Sequence, residues 1–360
     1  MHDEIPKLNI IMDREHLTFL ERNIWHEEPI SCQLVADNLS HDAGITYRGN
    51  HTRKFQKKSY KIDFGIYNEE FEAREMHLNA EFCDPSFIRN KLSFDFFKMI
   101  GSISPDCNHV LIEMNGEPAG IYLQLESVDD VFLQKRHLPY GPIYYASNRQ
   151  SNFSLLTTKG EPKESLTSGY VRKLGKEEDD LDLERLIIKI NSIPRNDFGE
   201  EIGEYLDVKK YLTWLCGAVC TQNYDGFIQN YALYRHGQTG LYENIPWDYD
   251  ATFGRNWNGK AMKYNQVPIE GFNTLTARIL DVKEFRIQYR LLLEEIVEEY
   301  FTVKKIEPMI TNLYNKLRPH IAFDPYKMTD IELFEREPEF ILQFILNRNH
   351  YLRDHLDELI

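Results

Sequence analysis

Hydrophobic periodicity changes once along this chain, and that change limits the fold more than any other feature. From Ser59 to Ile66 apolar and polar residues alternate, with Tyr60, Ile62, Phe64 and Ile66 set against Ser59, Lys61 and Asp63. A period of two marks a half-buried strand, because successive side chains point to opposite faces. Toward the C-terminus the repeat lengthens to that of a helix in FRIQYRLLLEEIVEEYF, in Ile306, Met309, Ile310, Leu313 and Leu317, and in PEFILQFILNRNHYLRDHL. One part must bury a sheet face and the other helical stripes. The expected class is α+β, with strands and helices segregated.

Local signals set the boundaries. HDAGITYRG reads as a further strand. DPSFIRNKLSFDFFKMIG reads as a helix capped by Asp84, with Pro85 in its first turn, Phe87, Leu92, Phe96 and Met99 at helical spacing, and Gly101 at its end. HVLIEMNGEPAGIYLQLE reads as two strands joined at Asn115-Gly116, a pair that suits a tight hairpin turn. A small strand-rich lobe is therefore expected over residues 1–126 and a larger, mainly helical lobe over 127–360. In the second, Asp207 caps a helix bearing Tyr211, Leu212, Leu215, Cys216 and Val219. NYALYRHGQTGLYENIPWD reads as two short strands around His236–Gly240, and Pro338 falls in the first turn of the last helix.

Composition excludes several classes. With 42% hydrophobic and 28% charged residues over 360 positions, the chain is globular, not disordered or fibrous. A formal net charge of −15 argues against nucleic-acid or anionic-membrane contact and suits basic partners. MHDEIPKLNIIMD has no basic region followed by an apolar run, so no signal peptide is expected, and WLCGAVC is far too short to span a bilayer. Five scattered cysteines read as reduced thiols, with Cys216 and Cys220 as helix core residues in preference to a zinc site. The acidic run KEEDDLDLE reads as a solvated face or as a contact for a basic substrate.

The acids in NYDGFIQNYALY and PWDYDATFG need a different explanation, because they stand among aromatic and β-branched neighbours. A carboxylate near an apolar core needs a partner, a metal or a reaction. Asp225 and Asn230 are five residues apart with Gly226 between them, and a hairpin returns the chain to Asp248 and Asp250. Oxygen donors with no nearby histidine suit Mg²⁺ or Mn²⁺. Asp225 as base with Asn230 and Asp248 as metal ligands would form the catalytic half of a phosphoryl-transfer site of protein-kinase type. The same spacing also reads as a polar loop with Asx caps.

A triphosphate needs fixed cations. Arg48, Arg53, Lys54, Lys57, Lys58 and Lys61 cluster in YRGNHTRKFQKKSYKIDF, a basic stretch of an acidic chain that reads equally as a surface strand. Alternation points Lys57 and Lys58 to opposite faces, and either is a candidate phosphate contact. Arg89 would pair with a phosphate or with an acid such as Glu81. Glu126 ends an apolar strand where the lobes should join, which nominates the backbone of Leu125 to Val128 for an adenine base.

Six segments in order, RGNHTRKFQKKSYKIDF, LNAEFCDPSFIRNKLSFDFF, MNGEPAGIYLQLESVD, NYDGFIQNYALY, IPWDYDATFG and GFNTLTARIL, closely resemble the CotH-type spore-coat proteins of spore-forming bacilli. The resemblance runs from about residue 5 to the C-terminus. It implies an atypical, two-lobed protein-kinase-like fold and an ATP-dependent enzyme that phosphorylates serines in basic, serine-rich coat proteins. Carried onto this chain, it implies essential acids at Asp225 and Asp248, the family's asparagine at Asn230, a basic strand at Arg48, Lys57 and Lys58, and a further acid near the metal at Asp250. It places the protein in the spore coat or the mother-cell cytoplasm and leaves the oligomeric state open. The motifs of ordinary protein kinases, G-x-G-x-x-G, H-R-D, D-F-G and A-P-E, are missing. Two other readings compete: an inactive coat scaffold with a kinase-like fold, and a metal-dependent phosphohydrolase. The filled base and metal positions weigh against the scaffold, and transfer to a protein acceptor would exclude the hydrolase.

Overall fold

A computed structural model describes residues 4–327 and 330–360. The chain divides into two compact units, one of Met1–Lys91, Pro105–Ser127 and Pro308–Glu339, the other of Leu92–Ser104, Val128–Glu307 and Phe340–Ile360. No change of composition announces the return of the chain to the first unit at Pro308.

In the first unit seven strands close into a barrel. They are β1 (Lys7–Ile11), β2 (Ile30–Ala36), β3 (Leu39–Arg48), β4 (Ser59–Asn68), β5 (Ala73–Asn79), β6 (Cys107–Met114) and β7 (Glu117–Glu126), in the order β1-β2-β3-β4-β5-β7-β6. Closure comes from the one parallel pairing, β1 with β6; Leu8 stands opposite Ile112 there. Alternate residues of the strands form one buried cluster, among them Leu8 and Ile10, Ile45 and Tyr47, Tyr60, Ile62 and Phe64, Met76 and Leu78, Val110 and Ile112. Each fully buried aliphatic side chain contributes roughly 1.5–3 kcal/mol relative to exposure. Asn115 and Gly116 turn the β6–β7 hairpin with φ of 52° and 85°, the paired positive angles of a type I′ turn.

Two details depart from the periodicity. Ile66, expected on the buried face with Phe64, is 77% exposed. Gly65 takes φ of 70° and the β4–β5 register slips between Asp63 and Asn68, so the strand turns its face over within three residues. The helix expected from Asp84 spans Arg89–Met99 instead. Phe87 has φ of 60°, which no helix accommodates, and Asp84 acts from outside, its two oxygens accepting from the Ser86 and Arg89 backbone N–H groups at 2.9 and 3.0 Å.

A buried ion pair stands within this unit. Lys57 and Asp324 are both fully buried, with Nζ 2.8 Å from Oδ2. Nζ also donates to the Ile121 carbonyl and lies 4.5 Å from the centre of the Tyr122 ring. Asp324 accepts from the backbone N–H of Ile121 at 2.9 Å and of Tyr326 at 2.9 Å. Gly120, with φ of 109°, makes room: a Cβ there would lie 2.7 Å from the Asp324 Cγ.

The second unit combines helices with a four-stranded antiparallel sheet. The sheet runs β11-β10-β8-β9, with β8 Ile143–Ala146, β9 Tyr170–Leu174, β10 Tyr231–Arg235 and β11 Tyr242–Pro246. Its β10–β11 hairpin is the expected one, whereas β8 and β9 gave no clear pattern in the sequence. Helix Val208–Thr221 starts at Asp207, whose carboxylate accepts from the Lys210 N–H at 3.1 Å, and it carries Cys216 and Cys220 fully buried. It stops at Gln222, which adopts φ of 55°. Near that end sits the buried Arg348, whose guanidinium donates twice to the Val219 carbonyl, at 3.1 and 2.8 Å, and to those of Tyr264 and Val267 at 3.0 and 2.7 Å.

The last helix spans Ile331–Asp354, so Pro338 lies inside it and not in its first turn. The helix opens on the Asp330 carbonyl, which accepts from Leu333 and Phe334, both at 3.0 Å. An interior proline forfeits one hydrogen bond and costs about 3 kcal/mol, and here it stands in a helix of 24 residues. Among the described residues no helix is long and apolar enough to cross a membrane.

Two outcomes are expected from the buried pair. Asp324→Ala would leave the Lys57 ammonium without its counter-charge and should destabilise the protein by about 3–5 kcal/mol in urea unfolding. Burial also pushes Lys57 down from 10.5 to about 8, against the opposing pull of Asp324. Between those values the unfolded chain holds more protons than the folded one, so the cost of burying the lysine falls as pH rises through that window. The stability difference between the parent and Lys57→Met/Asp324→Leu should therefore move in the parent's favour from pH ~8 to ~10.

Candidate active site

The second unit brings three of the four acidic and amide candidates close in the chain path. Tyr231 pairs with Pro246 as the last rung of the β10–β11 ladder, so the residues flanking that rung, Asn230 and Trp247, meet at its open end. The Trp247 N–H donates to the Asn230 carbonyl at 3.3 Å, and Asn230 Nδ2 donates to the Asp248 carbonyl at 3.3 Å. With its nitrogen engaged, the Asn230 side chain has Oδ1 left for a cation. Asn230 and Asp248 both take left-handed backbone conformations, with φ of 61° and 59°. Asn and Asp tolerate that region better than most residues, and a bulky side chain at either position would be strained.

Aromatic neighbours anchor the acids. In Trp247-Asp248-Tyr249-Asp250 the aromatics are buried and the two carboxylates are half-buried. Trp247 stacks on Tyr145 with ring centres 4.7 Å apart, and Tyr249 meets Phe97 edge-on at 5.0 Å. An alternation of this kind presents acids from a backbone whose own position is set by the core.

Asp225 opens a short 3-10 turn, Asp225–Phe227. The turn is built from both sides. Asn223, fully buried, accepts from the Gly226 N–H at 2.9 Å, and a Cβ on Gly226 would lie 2.9 Å from the Asn223 Cγ. Phe227 packs on Phe272 with ring centres 4.7 Å apart, while Asn273 Nδ2 donates to the Phe227 carbonyl at 3.0 Å. The segment GFNTLT therefore supports the Asp225 loop. Asn273 also caps helix Thr274–Asp281.

A residue absent from the sequence reading stands beside Asp225. Arg149 Nη2 lies 4.0 Å from Asp225 Oδ1. No spacing links the two positions. They meet because β8 pairs with β10, and the Asn230 N–H donates to the Ala146 carbonyl at the end of β8.

The candidates of the first unit each have protein partners. Arg48, at the end of β3, donates to the Asn79 side chain at the end of β5. Lys57 is held by Asp324 as described. Lys58, half-buried, donates to the carbonyls of Arg53, at 2.6 Å, and of Phe55. Arg89 is fully buried between two acids, 2.5 Å from Asp84 and 2.6 Å from Glu337, and Glu81 accepts from the Asn90 amide at 3.1 Å. The Glu126 carboxylate accepts from the Asp106 N–H at 2.9 Å. In the second unit both backbone groups of Val128 meet the Tyr145 hydroxyl, at 2.9 and 3.3 Å.

The donor chemistry of Asn230, Asp248 and Asp250 fits a hard cation. No cluster of three or more His, Cys, Asp or Glu side chains suited to a metal occurs among the described residues. A magnesium site completed by phosphates needs none, since Mg²⁺ is commonly held through one or two carboxylates.

Comparison with known proteins gives the lineage. The family model for the CotH kinase protein matches residues 45–352. Inner spore coat protein H of Bacillus subtilis is 48% identical over 356 residues, covering 99% of this chain and 98% of that protein. An inner spore coat protein H-like protein of the same organism is 27% identical, over 97% of this chain and 100% of the relative. Invasin CotH7 of Rhizopus delemar is 22% identical, over 67% of this chain and 42% of its own. Among solved structures, a chain from the Shewanella oneidensis HipA–HipB–operator complex overlaps 98% of this chain and 74% of its own at 12% identity and a TM-score of 0.38, too loose to match residue with residue. The chain belongs to the CotH family.

Proposed function

We propose that this protein is an ATP-dependent protein serine kinase with an atypical, protein-kinase-like fold, acting on basic, serine-rich spore-coat proteins in the coat or the mother-cell cytoplasm. The observation that carries the reading is the junction of Asn230 with Asp248 at the open end of the β10–β11 hairpin, five residues after Asp225. Family membership supports it.

In this reading Asn230 Oδ1, Asp248 and Asp250 hold Mg²⁺ or Mn²⁺, which when bound neutralises charge on the phosphates of ATP. Asp225 orients the seryl hydroxyl and accepts its proton. The protein's contribution is placement and a fixed field, and no covalent enzyme intermediate is needed. Among the cations of the first unit, Arg48 and Lys58 are assigned to phosphate charge, since Lys57 and Arg89 are each fully buried against carboxylates. Net charge −15 favours encounter with a basic acceptor. The alternative of an inactive coat scaffold draws on the same engagement of Lys57 and Arg89, and a transfer assay separates the two.

Two variants test the division of roles. Asp248→Ala should abolish metal-dependent transfer from radiolabelled ATP to a basic, serine-rich coat protein while leaving the thermal midpoint nearly unchanged; activity within about tenfold of the parent would exclude Asp248 as a metal ligand. Asp225→Asn keeps the shape and removes the basicity. Single-turnover transfer should fall by roughly 10²–10⁴ with ATP affinity preserved. Loss of nucleotide binding in that variant would make Asp225 a metal ligand instead.

A further inference from the structure

We propose that Arg149 is a further catalytic residue, the cation that meets the transferring phosphoryl group beside Asp225; this rests on the kinase reading above. Its guanidinium is presented unlike an ordinary surface ion pair. Arg149 is 66% exposed whereas Asp225 is 16% exposed, and the 4.0 Å between them is too long for a hydrogen bond. Among the described residues Asp225 is the one hydrogen-bond or ion-pair partner of that guanidinium. A planar group with five N–H donors thus stands at the base with most of its donors uncommitted, the form in which arginine binds a phosphoryl oxygen pair.

The loop that carries Arg149 is fixed to the Asp225 loop. Asn148 accepts through its side chain from the Gln150 N–H at 3.0 Å and through its carbonyl from the Ser151 N–H at 3.0 Å. The buried Ser151 hydroxyl reaches the Ile228 carbonyl at 3.0 Å, and Ile228 lies between Asp225 and Asn230. Lys163 ties down the far side through the Gln150 carbonyl and, at 3.0 Å, the Asn152 side chain. Residues on both sides of Arg149 are thereby hydrogen-bonded, and Ser151 is joined to the segment that follows Asp225.

In the transfer step the seryl oxygen bonds to the γ-phosphorus as the bond from that phosphorus to the β–γ bridging oxygen breaks. ADP departs with the electron pair, and the seryl proton passes to Asp225. Negative charge on the oxygens of the phosphoryl group in flight is met by Arg149. A fixed cation at that point stabilises the transition state more than bound ADP, which lacks the group being moved.

The test uses the full chain, with a basic serine-rich peptide as acceptor. Arg149→Ala should lower kcat by about 10²–10³ while ADP affinity and the thermal midpoint stay at parental values, and added guanidinium ion should restore part of the lost rate. Arg149→Lys, which keeps the charge without the planar fork, should fall between the two. If the parent transfers phosphate and Arg149→Ala retains activity within about threefold, the inference fails and the kinase reading stands. Arg149→Ala that loses ADP binding or stability in step with rate, with no rescue, also overturns it, since the residue is then structural. A parent that transfers no phosphate to any protein removes both.

Discussion

The second unit is built on a cation that no carboxylate among the described residues pairs with. Arg348 is fully buried, and its four hydrogen bonds all go to main-chain carbonyls. Burial pushes its guanidinium down to about 10, which still leaves it charged at neutral pH. Two of the bonds reach Val219, in the last turn of helix Val208–Thr221, where unsatisfied carbonyls carry partial negative charge. The other two hold Tyr264 and Val267, and Gln222 reinforces the same clamp through the Lys263 carbonyl and the Gln266 N–H. The chain leaves this clamp through Gln222 and reaches Asp225 three residues later. The departure point of the candidate base is therefore set from the C-terminal helix, more than a hundred residues away in sequence.

The first unit solves a similar problem by another route. Lys57 is buried against a carboxylate, and the barrel wall opens at Gly120 to admit that carboxylate. Asp324 spends one oxygen on the lysine and the Ile121 N–H, and the other on the turn that leads on to Tyr326. This couples the barrel to the segment that returns late in the chain. A lysine in a basic cluster thus becomes a core residue, while its neighbour Lys58 stays half-buried over main-chain carbonyls. Charge alone does not separate the two roles; the partner 267 residues away does.

What the sequence disclosed follows the reach of its signals. Strand alternation over Tyr60, Ile62 and Phe64 and the Asn115-Gly116 turn were legible because each depends on adjacent residues. The same rule failed at Ile66, where a bulge beginning at Gly65 reverses the face. Asp84 was legible as a cap, but Phe87 in a left-handed conformation delays the helix to Arg89. Pro338 reads locally as a start, whereas the helix begins at Ile331 and holds it inside. At the candidate site, the hairpin made the approach of Asn230 to Asp248 readable, since both lie on one supersecondary element. Arg149 was not readable, because its approach to Asp225 depends on β8 pairing with β10 across some eighty-five intervening positions.

A barrel closed by the parallel β1–β6 pairing has no open rim on which another chain can add a strand. The four-stranded sheet does have two outer strands, and they are guarded differently. Along β11, Tyr242 already exchanges backbone hydrogen bonds with Tyr205 and Asp207, so that side is partly occupied from within. The outer strand β9 is five residues long and carries Arg172 and Lys173 at its centre. Short length is a deterrent to lateral templating, and Arg172 is held in an ion pair with Asp180 at 2.6 Å. A protein built this way offers another chain little unpaired strand backbone to extend.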